Sequence, residues 1–361
     1  MIFFRTDASD KIGKGHVIRC LKLASAMRMH GAECYFICRK HEGNLIKKIQ
    51  QEKFKVYVLN NFKDSEKRII NDSSNLIHSK WLGADWETDA KDTIMALGLM
   101  KADLIVVDHY ALDNRWEQRL RPYTKRIMVI DDLADRNHDC DFLLNQNLGS
   151  SADLYKNLIP RNCYQFYGPN YALIDPIYQH TRSKLKPRLS KISRVLIYFG
   201  SGKDSIRLIE NILIILNDPK LYDLKIDIVI DDKIKHLSTI HKILKVKKNI
   251  RVHSNLSDLA VLMLNADIAI GAGGSTTWER CCLGLPTILI VSAINQKLTG
   301  ESMHKAGAAI VLNKGKNLTS KIKEAIFLLL NDADLYNKMS KKAFSICDGN
   351  GIDRIIKKIM Y

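Results

Sequence analysis

Short apolar runs recur along the chain, separated by stretches whose apolar residues fall at helical spacing. The first series covers 2–5, 34–37, 56–59, 104–107, 127–130, 142–144 and 165–167. A second opens with Arg194-Val-Leu-Ile-Tyr-Phe199 and continues at 226–230, 250–252, 268–270, 287–291 and 309–312. Continuous apolar runs fit strands buried on both faces. Strands alternating with helices fit parallel sheets flanked by helices. The pattern therefore predicts an α/β protein of two Rossmann-like domains, at 1–173 and 194–361, joined by a basic crossover at 174–193 that carries Pro176 and Pro187. The last helix can pack back on the first domain. Ligands of such sheets collect outside the carboxyl ends of the strands, so a cleft between the domains is the expected site.

Two strand ends carry chemistry. Gly271-Ala-Gly-Gly-Ser-Thr-Thr-Trp-Glu-Arg280 follows the apolar run that ends at Ile270, and Leu283-Gly-Leu-Pro286 comes after it. A strand, a glycine turn and a helix start aim backbone N–H groups at one spot, which suits a phosphate or diphosphate. Gly273, Gly274 and Ser275 are the expected contacts, with Ser/Thr as helix caps. Glu279, about one turn into the helix, is placed to accept hydrogen bonds from ribose hydroxyls. A buried strand–helix junction capped by serine uses the same residues.

At the other end, Asp7-Ala-Ser-Asp-Lys-Ile-Gly-Lys-Gly-His16 follows the first strand. Apolar residues at 17, 18, 21, 23 and 24 then predict a helix. Gly13 and Gly15 make a tight loop, and His16 falls at the helix N-terminus. The dipole there disfavours imidazolium, and a neutral, partly exposed imidazole is what a general base needs near pH 7. A histidine that ends a helix without doing chemistry is the alternative.

Arg5-Thr-Asp-Ala-Ser9 with Ile12-Gly-Lys-Gly-His-Val-Ile-Arg-Cys-Leu21 resembles the N-terminal signature of the UDP-2,4-diacetamido-2,4,6-trideoxy-beta-L-altropyranose hydrolases of pseudaminic acid biosynthesis. Asp108-His-Tyr110, Ile130-Asp-Asp-Leu133, His138-Asp-Cys-Asp141, Leu144-Asn-Gln-Asn147, Gly168-Pro-Asn-Tyr-Ala-Leu173, the 271–286 segment and Asn295-Gln296 continue the likeness in order. That family is similar in turn to glycosyltransferases of the GT-B fold. The resemblance implies that Tyr110 lies in the active site, that an asparagine at 295 contacts substrate, and that neither metal nor cofactor is needed. At 200–204 this chain has Gly-Ser-Gly-Lys-Asp where the family usually has a Gly-Gly-Ser/Thr-Asp type of loop, which leaves contacts of Lys203 unassigned.

Taken alone, Tyr110 fits a half-buried structural tyrosine as well as a group that orients water or sugar. Asn145 ends a strand and fits substrate hydrogen bonding or packing equally. Asn295 fits an amide donor to substrate or a turn. The segment Trp81-Leu-Gly-Ala-Asp-Trp86 reads as a surface loop with a tryptophan tucked against the domain, or as a sugar-stacking platform; 89–100 then looks helical. Asp131, Asp132, Asp135, Asp139 and Asp141 with His138 invite a metal. Neighbouring strand residues point to opposite faces, however, which separates Asp131 from Asp132.

The chain has 361 residues, enough for two cores. Its net charge of +17 favours anionic partners, but no nucleic-acid motif accompanies the scattered lysines. No run is long and apolar enough to span a membrane, and the first strand begins where a signal peptide would stand. Eight scattered cysteines without Cys-x-x-Cys spacing fit reduced thiols in a cytoplasm. The expected function is hydrolysis of a UDP-linked diacetamido-trideoxy sugar by a water that His16 activates, with inversion. A GT-B glycosyltransferase with the same kind of donor is the alternative, and a non-catalytic nucleic-acid-binding or regulatory protein is a third reading.

Overall fold

A computed structural model describes residues 1–61, 76–185, 188, 191–200, 205–216, 218–230 and 249–361. Lys203 with the rest of 201–204, and the lysines at 186, 233, 235, 245, 247 and 248, lie outside the described residues. The chain forms two compact units, Met1–Leu173 with Ile352–Tyr361, and Ile174–Gly351.

Each unit is built on a wholly parallel sheet, so the periodic pattern was read correctly as α/β. In the first unit the strands are β1 (Ile2–Thr6), β2 (Cys34–Arg39), β3 (Lys55–Leu59), β4 (Leu104–Asp108), β5 (Ile127–Ile130), β6 (Phe142–Asn145) and β7 (Tyr164–Tyr167). Their order is β3-β2-β1-β4-β5-β6-β7. In the second unit β8 (Arg194–Tyr198), β9 (Lys225–Val229), β10 (Ile250–His253), β11 (Ile268–Ala272), β12 (Thr287–Val291) and β13 (Ala309–Asn313) are ordered β10-β9-β8-β11-β12-β13. Each order reverses direction once, between β1 and β4 and between β8 and β11. In parallel sheets of this kind such a reversal is where a crevice for ligands is expected.

Burial explains why apolar runs lacked polar alternation. β1, β4, β5 and β6 are buried at every position, because helices and loops cover both faces of the sheet. On one face, Phe4, Val106 and Ile130 pack with Val17, Leu21 and Ala24 of the helix Gly15–Met29. The last helix, Gly351–Met360, belongs to this same core. Ile352, Ile355, Ile356 and Ile359 recur at helical spacing and are all buried there. Its ends are pinned when Arg354 donates to the Asn170 carbonyl (2.8 Å) and Arg126 to the Ile359 carbonyl (2.9 Å).

On the opposite face lies the helix Trp86–Leu97. It starts earlier than the apolar pattern predicts because Asp85 caps it, accepting from the Thr88 amide at 2.8 Å. Asp89 anchors it. That buried carboxylate accepts from Arg5 of β1 (3.0 and 2.7 Å), Arg39 of β2 (2.7 Å) and the Trp116 indole (3.1 Å).

The 174–193 crossover is structured where it is described. Asp175 caps the helix Pro176–Arg182, accepting from Ile177 N. Arg182 then donates to the carbonyls of Cys282 (2.8 Å) and Cys347 (2.9 Å), and Arg188 to those of Leu283 and Met263. These bonds tie the crossover to the second unit.

Ile355→Ala removes a fully buried side chain from the first core. It is expected to lower unfolding free energy by about 2–5 kcal/mol in a denaturant titration.

Candidate active site

The first crevice is lined by the β1 loop and the end of β4. The loop turns at Gly13, whose φ of +82° is open to glycine at little cost. Its amide donates to Ser9 O (2.8 Å), and the Ser9 hydroxyl accepts from the amides of Lys11 and Ile12. A Cβ built on Gly13 or Gly15 meets nothing within 4 Å, so the space beside the loop is open.

The helix Gly15–Met29 puts His16 and Arg19 three residues apart on one face. Both reach Asp108 at the end of β4. Arg19 forks onto it, with Nε 2.6 Å from Oδ2 and Nη2 2.7 Å from Oδ1. His16 Nδ1 lies 2.6 Å from Oδ1. Burial pushes the Asp108 carboxyl up, but the Arg19 and His16 charges outweigh it and hold it well below the usual carboxylate range. An ionised Asp108 accepts the Nδ1 proton, which leaves Nε2 as the basic nitrogen of the ring. Sequence reasoning gave His16 a partly exposed position governed by the helix terminus. His16 is instead 8% exposed and set against a carboxylate, a charge that the helix-terminus picture left out.

Tyr110 is brought to His16 as expected, edge to face with ring centroids 4.5 Å apart. Its hydroxyl donates to Asp132 Oδ2 at 2.7 Å, and burial followed by that carboxylate raises its pKa well above the ordinary tyrosine value. Arg19 Nη1 also reaches Asp132 Oδ2 (2.7 Å), which closes a ring of His16, Asp108, Arg19, Asp132 and Tyr110. Trp81 stacks on Tyr110 at 5.9 Å, and His78 lies 5.4 Å from the same ring. Trp81 is thus tucked against the domain beside the candidate base. Trp86 instead lies under the Arg115 guanidinium, 5.2 Å away.

The acidic cluster is divided as the strand geometry requires. Asp131 turns to Arg136 (2.8 Å), Tyr155 (2.9 Å) and the Ala134 amide (2.8 Å), while Asp132 turns to Arg19 and Tyr110. Burial raises the Asp131 carboxyl and Arg136 lowers it, to about 2. Asp139 and Asp141 pair with Arg121 at 3.0 and 2.6 Å, and Asp135 with Arg136. Arginine takes the role that the sequence pattern offered to a metal.

Asn145 stands at the end of β6. It is buried, its amide donates to Tyr155 Oη (2.9 Å), and its carbonyl accepts from Asn147 N (3.0 Å). Both ends of the side chain are engaged in holding the β6 loop.

In the second unit the Gly271–Ser275 turn leaves β11 beside β8, at the second reversal. Its two glycines differ. A Cβ on Gly273 would stand 3.3 Å from Gln296 Cβ and from Leu289 Cδ2, a tight fit. Gly274 is exposed, and its Cβ position is open. Ser275 does not act as the expected side-chain cap; it makes no capping bond and already has helical dihedrals, φ −55° and ψ −29°. The helix Thr276–Cys282 first closes when Thr277 N and Trp278 N donate to Gly274 O and Ser275 O.

Glu279 is buried on that helix, and its Oε2 accepts from the Tyr178 hydroxyl (3.1 Å). Tyr178 Oη in turn accepts from Leu259 N (3.1 Å), which directs its proton to the carboxylate. Asn295 is exposed on the short turn Ile294–Gln296. The turn-stabilising role falls to Gln296, whose Oε1 accepts from Ser292 N (2.9 Å) and Ser292 Oγ (2.8 Å).

Asp108, Arg19, Asp132 and Tyr178 were not assigned site roles from the sequence. A signal for Arg19 did exist: a basic residue three positions after the candidate base shares its helix face. Asp108 and Asp132 stood within motifs of the resemblance, and nothing local marked Tyr178.

Asp108→Asn leaves Arg19 buried with one charged partner fewer, at an expected cost of about 3–5 kcal/mol near neutrality. Because the folded pKa of Asp108 is depressed, its contribution is full above the unfolded value of about 4 and is lost as the pH falls through the folded one. The stability gap between wild type and variant, measured by denaturant titration, should therefore narrow below about pH 4.

Residues 202–358 match the glycosyltransferase family 28 C-terminal domain. An uncharacterized protein of Methanocaldococcus jannaschii is 25% identical over 95% of this chain, which spans 64% of that relative, just under two thirds of its length. The UDP-2,4-diacetamido-2,4,6-trideoxy-beta-L-altropyranose hydrolase of Campylobacter jejuni is 27% identical over 85% of this chain and 97% of its own. The crystal structure of MurG from Acinetobacter baumannii superposes with a TM-score of 0.63 at 13% identity, covering 99% of both chains. Among the described residues no helix is long and apolar enough to cross a membrane. The chain has the GT-B type of fold and is a distant relative of the Campylobacter hydrolase.

Proposed function

We propose that the protein hydrolyses a UDP-linked 2,4-diacetamido-2,4,6-trideoxy sugar, the altro sugar of the Campylobacter relative's name, in a cytoplasmic nonulosonic acid pathway. Water attacks the anomeric carbon while the bond from that carbon to the UDP oxygen breaks. The water proton passes to His16 Nε2, and UDP leaves with the bonding pair, so the anomeric configuration inverts. The observation that carries this reading is the 2.6 Å contact between His16 Nδ1 and Asp108. It orients the ring as a base, the arrangement that general-base catalysis requires. Tyr110 sets the wall beside that base, and the open positions at Gly13 and Gly15 leave room for the sugar. Gly274 and Ser275 take the diphosphate with Gly273 as their packed support, Glu279 takes the ribose, and the exposed Asn295 amide takes a further substrate oxygen. The scheme needs no metal, since arginines already neutralise the carboxylates around the base.

A second reading has its own support. The match of 202–358 to a glycosyltransferase C-terminal domain fits a transferase in which an acceptor hydroxyl replaces water.

Incubating the protein with the UDP-sugar alone, in excess chelator, separates the two. Hydrolysis is expected to release UDP and free sugar without an acceptor, and His16→Asn to slow it about 10²–10⁴-fold with UDP affinity nearly unchanged. Strict dependence on an acceptor supports the transferase, and wild-type turnover by His16→Asn rejects His16 as the base.

Glu279→Ala is expected to raise KM, by a loss of about 1.5–3 kcal/mol, more than it lowers kcat. Steady-state kinetics with an unchanged KM and a much reduced kcat would move Glu279 into the chemical step.

A further inference from the structure

Arg280 is buried on the helix Thr276–Cys282, directly behind the Gly271–Ser275 turn. Its Nη2 donates to the Ala272 carbonyl (2.7 Å) and to the Thr277 hydroxyl (3.1 Å), both neutral. Among the described residues it forms no ion pair, and Nε has no partner. The Glu279 carboxylate acts on it only at longer range, being engaged by Tyr178. Every other buried arginine described above for the first unit sits on a carboxylate. A buried guanidinium with neutral partners alone is costly, and an anion arriving nearby offsets that cost.

The backbone gives the cation a second effect. Across a trans peptide the carbonyl of one residue and the N–H of the next point in opposite directions. Arg280 holds the Ala272 carbonyl inward, so the Gly273 N–H faces the opposite side, toward β12, where Ala272 pairs with Ile290. Gly271 makes this approach possible, since a Cβ there would stand 2.5 Å from Arg280 Nη1 and 2.5 Å from the Tyr198 carbonyl.

We propose that Arg280 is a positioning residue for a diphosphate held at this turn: it fixes the turn's backbone through the Ala272 carbonyl and supplies a fixed positive charge without touching the ligand. The inference rests on the nucleotide-sugar reading above. Burial, the largest influence, lowers the Arg280 pKa to about 10, which still leaves it charged at neutral pH.

Calorimetric titration of UDP against uridine tests it, because a merely structural residue would weaken both ligands alike. Wild type is expected to bind UDP more tightly than uridine. Arg280→Met should cut UDP affinity about tenfold and leave uridine nearly unchanged, so the preference for UDP collapses. A folded Arg280→Met protein that keeps the wild-type preference overturns the proposal. If that variant does not fold, the decision passes to Thr277→Val, an isosteric change that removes one bond to the guanidinium. There a reduced UDP preference supports the proposal and an unchanged one overturns it. Wild type that binds uridine as tightly as UDP overturns the inference while leaving nucleoside binding in place. Wild type that binds neither overturns the functional reading as well.

Discussion

The reversal of strand order in each sheet is the constraint on which the rest depends. Crossovers between parallel strands keep one hand, so helices before and after a reversal lie on opposite faces of the sheet. Between β1 and β4, and again between β8 and β11, the strand order reverses. The Cβ positions of Gly13, Gly15 and Gly274 at those two places face open space, with a packed sheet behind. The His16 loop and the Gly271–Ser275 turn both occupy such a place. Residues 108 and 16 are far apart in sequence, yet adjacent strands bring them to 2.6 Å.

Charge economy then shapes the first crevice. Asp108 is buried at the end of a central strand, where an unpaired carboxylate would be expensive. Arg19 meets it with a planar fork, the geometry best matched to a carboxylate. One oxygen of that fork is shared with His16, so the group that stabilises the carboxylate also helps to orient the imidazole. Asp132 extends the pattern to Tyr110. The helix Trp86–Leu97 is held by a separate buried group, Asp89 between Arg5 and Arg39. The second unit solves a different problem. Its turn must approach the helix closely, and glycine at 271 and 273 permits that while Gly274 is left exposed.

Much of this was legible in the residues. Apolar runs located the thirteen strands described here, most cleanly at β1, β4, β5 and β6, where strands covered on both faces have no polar side to show. Glycines flanked by a strand and a helix marked both loops, because few other residues allow such tight turns. The isoleucines of the last helix carried its amphipathic spacing, although spacing cannot say which sheet it covers. Boundaries moved where a cap decided them, as at Asp85.

The sequence by itself determined the two α/β sheets and the two glycine loops, and it placed His16 and Tyr110 just beyond strand ends and Glu279 inside the helix that follows the second loop. Tertiary structure alone decided who their partners are. Asp108, Arg19, Asp132 and Tyr178 acquire their roles through contacts between residues distant in the chain, and local spacing carries no record of those distances. It also decided which polar groups are spent on the scaffold. Asn145 and Gln296 look alike as strand-end amides in the sequence. Each is occupied by a partner that only the folded backbone supplies, Tyr155 in one case and Ser292 in the other.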